Sequence, residues 1–168
     1  MLGTWSEIDG ARLMEFAYQL SVVLTWCWFF VTGLALARFD YLHHRLPNLW
    51  VAMTAVGSVG GFFAAAALSN QWMLLGRAVI CGIVLMLAYG VASLLGGMGM
   101  GDAKYALVIG TYLGWLGWEY LWWGTFIAFA LAAIYSIWVH FRESQGSNIP
   151  FGPFMVSGVI IAGIAYAG

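Results

Sequence analysis

Three stretches of this chain, Phe16 to Ala37, Pro47 to about Leu68 and Tyr120 to Val139, each run about as far as a bilayer is thick without a charged side chain. A fourth, Ala78 to about Leu95, is nearly as long and equally free of charge. About 20 apolar residues carry a helix across the hydrocarbon core. Backbone N–H and C=O groups find no water there, so segments of this length close their hydrogen bonds internally, as helices. Two shorter apolar segments, Ala103 to Gly117 and Phe151 to Ala167, complete the pattern. The reading is an all-α, polytopic membrane helix bundle of about six transmembrane helices, forming one domain over residues 1–168. Gly117-Trp118-Glu119 makes a tight hairpin between the fourth and fifth spans.

Composition narrows the function. The chain is 63% hydrophobic and 8% charged, against about 25% charged in soluble domains. Its net charge of -1 and scattered basic residues give no surface for tracking phosphates, so no nucleic-acid partner is expected; the surroundings are membrane lipid. Cys27 and Cys81 lie in apolar segments without a Cys-x-x-Cys pair. They read as small buried apolar side chains rather than metal ligands or a disulfide. Glu7, Asp9, Arg12 and Glu15 precede the first apolar run, which is not a signal-peptide pattern. Most tryptophans fall near span ends, where an indole suits the interface. The small residues from Gly57 to Ala67 suit close helix packing.

Basic residues near span ends set orientation. Arg38, His43, His44 and Arg45 follow the first span, Lys104 follows the glycine-rich connection, and His140 and Arg142 follow the fifth span. These alternate connections read as cytoplasmic, with Arg12 and Arg77 as exceptions. The same reading puts Asp40 and Asp102 on one side of the membrane.

Those two acids are the candidate chemistry. Asp40 ends the first apolar run, ahead of Leu46-Pro47-Asn48; Pro47 suits the first turn of the second helix, and Asn48 could bond nearby backbone. Asp102 ends the run Gly97-Met98-Gly99-Met100-Gly101-Asp102. Acids at membrane depth are costly, and their default reading is functional. Gly99 and Gly101 leave open backbone beside Asp102. Two carboxylates brought close cannot both ionise easily, so one keeps a proton while the other is charged. Such a pair activates a water, polarises a scissile carbonyl and protonates the leaving amine, with no metal or cofactor. Lys104, two residues after Asp102, is not on its helix face and reads as an interfacial anchor with a possible substrate contact. Asn148-Ile149-Pro150-Phe151-Gly152-Pro153-Phe154 precedes the last span. Pro150, Gly152 and Pro153 interrupt the helix start and leave backbone groups free, either as an entry turn or to shape a cavity.

In their order, these three stretches resemble the type IV prepilin peptidase family. Asp40 ahead of Leu46-Pro47-Asn48, the family's Gly-x-Gly-Asp-x-Lys at Gly99 to Lys104, and its element at Ile149 to Phe154 together cover most of the chain. Presenilin-like proteases share Gly-x-Gly-Asp, but the other two stretches favour prepilin peptidase. The resemblance implies a membrane-embedded aspartic endopeptidase of the bacterial inner membrane, with Asp40 and Asp102 catalytic. It also implies prepilin or pilin-like substrates cut at a basic leader on the cytoplasmic side. Longer members carry paired Cys-x-x-Cys motifs associated with N-methylation; their lack here implies the short, peptidase-only form, as found with Flp/Tad-type pili or archaeal flagellin-like systems, the Pro-Phe-Gly-Pro element leaning bacterial. A small proton-coupled transporter or channel subunit, with acids at several depths, is the alternative of another class, and a non-catalytic pilus-assembly scaffold is a third.

Overall fold

The computed structural model describes residues 5–43, 46–95, 99–142 and 150–167. They form six α-helices and, among the described residues, no strand: α1 (Trp5–His43), α2 (Asn48–Ser69), α3 (Trp72–Leu94), α4 (Met100–Leu116), α5 (Trp118–Arg142) and α6 (Gly152–Ala167). The all-α bundle with six helical segments is therefore as read from the sequence. Four helices, α1, α2, α3 and α5, are long and apolar enough to cross a membrane. α6 is a shorter apolar helix of 16 residues, about 24 Å long.

α4 organises the bundle. It packs against α2, α3, α5 and α6. From Tyr105 onward nearly every residue is buried, including Tyr105, Val108, Tyr112, Leu113 and Trp115. A helix apolar all round belongs in an interior. α4 meets protein on all sides where α1 and α5 expose large apolar side chains such as Val31, Leu34, Trp122 and Phe126. Its contact with α3 is made at backbone distance. A Cβ on Gly110 would lie 2.6 Å from the Cys81 carbonyl oxygen, and one on Gly82 2.7 Å from that of Leu107. Small residues permit such close approach where helices share a membrane. The α1–α2 seam uses the same device, with Gly57 against the Trp28 indole and Gly61 against Thr25. The packing role expected of the Gly57–Ala67 stretch is met there. An aromatic cluster joins α1, α2 and α4: Tyr112 packs against Trp26, Phe29 and Phe62, Phe62 stacks on Trp115, and the Tyr112 hydroxyl donates to the Thr25 carbonyl at 2.7 Å. Trp26 and Trp115 are thus bundle residues rather than interfacial ones.

Several boundaries differ from the sequence reading. α1 continues well beyond Phe16 and Ala37 at its two ends, which makes Asp40 helical. α3 starts at Trp72, so Arg77 lies within a helix rather than before one. There its guanidinium reaches the end of α4: Nε donates to the Gly114 carbonyl at 2.7 Å and Nη2 to that of Trp115 at 2.8 Å. The last carbonyls of a helix have no partner in their own helix, and a cation at that end also meets the negative pole of the dipole. This explains a basic residue that charge placement left as an exception. The expected hairpin is tight: Gly117 alone separates α4 from α5, its N–H donating to Leu113 and its carbonyl accepting from Leu121. Cys81 is buried, as read, but Cys27 is exposed on the outside of α1.

Removing the α4 cap leaves acceptors of a buried helix without donors, at about 1–3 kcal/mol each. Arg77→Met should therefore lower the Tm of the detergent-solubilised protein, and Arg77→Lys should lower it less. An unchanged Tm for Arg77→Met would show that the cap contributes nothing.

Candidate active site

One end of the bundle collects the C-terminal turn of α1, the ends of α2 and α4 that begin each helix, the last turns of α3 and the start of α6. Asp40 is only 5% exposed. Its Oδ2 accepts the Gly152 backbone N–H at 2.9 Å, across 112 residues of sequence. The first N–H groups of a helix have no intrahelical acceptor, so α1 supplies one to α6. The backbone that the two prolines were expected to leave free is therefore taken at Gly152. The space is also used: a Cβ on Gly152 would lie 2.9 Å from Oδ2 of Asp40. Pro150 is buried just before α6 and Pro153 lies in its first turn, where the missing N–H costs little.

Asp102 sits in the first turn of α4, half-buried. Acids are favoured at that end of a helix. Its carboxylate turns back over Gly99, where a Cβ would lie 3.3 Å from Oδ2. The helix begins at Met100, so Gly101 and Asp102 are helical rather than part of an open loop. Gly101 is also covered: a Cβ there would meet the Leu46 side chain at 3.1 Å. Gly97 and Met98 lie outside the described residues, as do His44, Arg45, Asn148 and Ile149.

The structure places Asp40, near the C-terminus of α1, and Asp102, in the first turn of α4, at the same end of the bundle. It also ties the remaining sequence candidates together. Lys104 Nζ donates to Asn48 Oδ1 at 2.9 Å, so Asn48 bonds a side chain of α4 rather than nearby backbone. Lys104 is a link between helices as well as an exposed charge. Pro47 precedes α2 as its N-cap, with extended ψ of 121°, and its carbonyl accepts the Val51 N–H; it stands just before the first turn in which it was expected. His43 stacks on Phe39 at 4.2 Å. Among the described residues, no group of three or more His, Cys, Asp or Glu side chains could hold a metal ion.

One residue of this neighbourhood was missed. Tyr89 of α3 is buried beside Phe151, ring centroids 5.9 Å apart, and lies within the field of Asp102. Nothing in the apolar run around it distinguishes it from the other tyrosines of the chain.

A family model, the type IV leader peptidase family, matches residues 22–167. The chain belongs to the type IV leader peptidase family. Comparison with curated proteins gave no match, and comparison with solved structures gave none either. The match covers Asp40, Asp102, Lys104 and Gly152 alike, and with the apolar helices it makes this leader peptidase a membrane protein and a protease.

Two outcomes follow for such a peptidase. Gly152→Ala drives a methyl into the Asp40 carboxylate, and if that carboxylate reacts, a displacement of about 1 Å can cost about 10²-fold. Leader removal from a co-expressed prepilin should fall on that scale while the membrane content of the enzyme holds. Asn48→Ala and Lys104→Met should each slow cleavage, and the double variant should be no slower than the worse single one, as for two halves of one interaction. Additive losses would show that the two side chains act separately.

Proposed function

We propose that this protein is a membrane-embedded aspartic endopeptidase, a single catalytic domain over residues 1–168, that removes the basic leader of prepilin or pilin-like precursors. The observation that carries the reading is that Asp40, from α1, and Asp102, from α4, lie at one end of the bundle. Family membership supports the substrate class. In the proposed reaction the charged member of the pair takes a proton from a bound water as the water oxygen attacks the scissile carbonyl carbon. The protonated member donates to the carbonyl oxygen. Collapse of the tetrahedral intermediate breaks the C–N bond, and a proton passes to the departing amine. Two carboxylates that share a site exchange one proton between them, so neither role is assigned to a single member.

Gly99, Gly101, Asn48, Lys104 and Gly152 shape this site through the contacts described above, and Pro47, Pro150 and Pro153 through the helix starts at which they stand. Arg38 and Lys104 flank the acid end, while Arg77 at the far end is engaged in capping α4. That distribution favours an acid end facing the cytoplasm of a bacterial inner membrane. A substrate helix lying beside the bundle would then hold its leader junction at the depth of the two carboxylates. The transporter reading gains no support. Of the described buried polar side chains, Thr25, Thr32, Thr54, Ser58 and Thr111 each donate to a carbonyl of their own helix, as hydroxyls in apolar helices commonly do, and they form no relay between the two ends.

The test is co-expression with a tagged prepilin, leader loss being read as a gel shift. Asp40→Asn and Asp102→Asn should each abolish processing with membrane levels unchanged. Normal-rate cleavage by either single variant would reject the acid-pair reading.

A further inference from the structure

The pairing of α3 with α4 fixes more than the fold. The two helices run antiparallel, and their close contacts advance in step. Ala78 and Cys81 lie against Gly114, and Cys81 and Gly82 lie against Gly110. Continued along the same faces, each helical turn of α3 toward its C-terminus meets one turn of α4 nearer its N-terminus. Tyr89, two turns beyond Gly82, therefore arrives at the level of the first turn of α4, where Asp102 sits. The ring is 4% exposed. It is held by Phe129, with centroids 5.6 Å apart, and by Phe151 at 5.9 Å. Phe151 immediately precedes the glycine whose N–H holds Asp40. Tyr89 thus stands at the site end of the bundle, between the start of α6 and the start of α4, and Asp102 acts electrostatically on its phenol.

The ring alone would serve packing, and a phenylalanine packs as well. The phenol adds a hydroxyl that can donate a hydrogen bond. At the level of the first turn of α4, that donor shares the end of the bundle with the Asp102 carboxylate. We propose that Tyr89 is a positioning residue for Asp102, its phenolic O–H offering a hydrogen bond that holds the carboxylate in its working orientation during turnover. The inference rests on the acid-pair reading above and adds a third side chain, from a third helix, to it.

Tyr89→Phe isolates the hydroxyl, because it keeps the ring and its contacts with Phe129 and Phe151. Cleavage of a fluorescently tagged prepilin by the purified full-length protein in detergent should show kcat reduced by about 10²-fold, the scale for loss of one site donor. KM should stay near the wild-type value, as for an interaction made only in the transition state, and Tm should be unchanged. Asp40→Asn and Asp102→Asn are measured alongside. If the aspartate variants are inactive while Tyr89→Phe cleaves normally, or loses activity only in step with Tm, Tyr89 is a packing residue and the proposal for it is overturned, with the peptidase reading intact. If either aspartate variant cleaves normally, both proposals fall together.

Discussion

The bundle depends on the backbone-to-backbone contact between α3 and α4. Gly82, Gly110 and Gly114 remove the side chains that would otherwise separate the helices. A methyl at Gly110 or Gly82 would enter a carbonyl oxygen's space, and overpacking of that kind costs about 1–3 kcal/mol. Close apposition leaves room for the other helices around α4, which becomes a central rod with protein on every side. Its two ends are then fixed points. Arg77 satisfies the carbonyls at one end, and the first turn at the other end carries Asp102. A kink or slide of α4 would have to break the Arg77 bonds and the glycine contacts together. The position of the acid is thereby set by contacts made a full helix length away.

The site lies at helix ends for a physical reason. An acid in the middle of a span would find only satisfied backbone and apolar side chains, and its charge would be strongly opposed. At a helix start, N–H groups are free to bond and the dipole favours negative charge. α4 and α6 both begin at the end of the bundle where the two aspartates lie. Asp102 occupies the first turn of one, and Asp40 bonds the first N–H of the other. The same geometry gives two acids at one end of a mostly apolar protein backbone partners and a favourable dipole.

Much of the architecture was legible in the sequence, because long charge-free runs leave the backbone few alternatives. The six segments follow from that rule, the hairpin at Gly117 from the short break between two of them, and the packing role of the Gly57–Ala67 stretch from its small residues. Helix ends were less legible. Charge was taken as the limit of a span, but Arg77 and Asp40 are both inside helices, and their partners, the last carbonyls of α4 and the first N–H of α6, are remote in sequence. The acids stood out because acids are rare here; Asn48, Lys104 and Gly152 stood out as well, but not the partners they take. Asn48 with Lys104, and Gly152 with Asp40, are pairs that only the fold defines. Tyr89 carried no local signal, since a tyrosine in an apolar run reads as core.

The three stretches that stood out in the sequence also change meaning once folded. Gly101 and Gly152 look like flexible hinges in isolation. In the bundle each is a contact surface: Leu46 covers Gly101, and the Asp40 carboxylate fills the space a side chain at 152 would need. Each stretch therefore owes its residue types to another stretch. The small residue at 101 is set by the one that precedes Pro47, and the small residue at 152 is set by the acid at 40. Asn48 and Lys104 close the remaining gap between α2 and α4. An exposed pair of this kind adds little to stability; it ties the start of α2 to the start of α4, the helix that carries Asp102. Read this way, the motifs describe one interface among four helix ends, and the spacing between them along the chain is the length of helix needed to return to it.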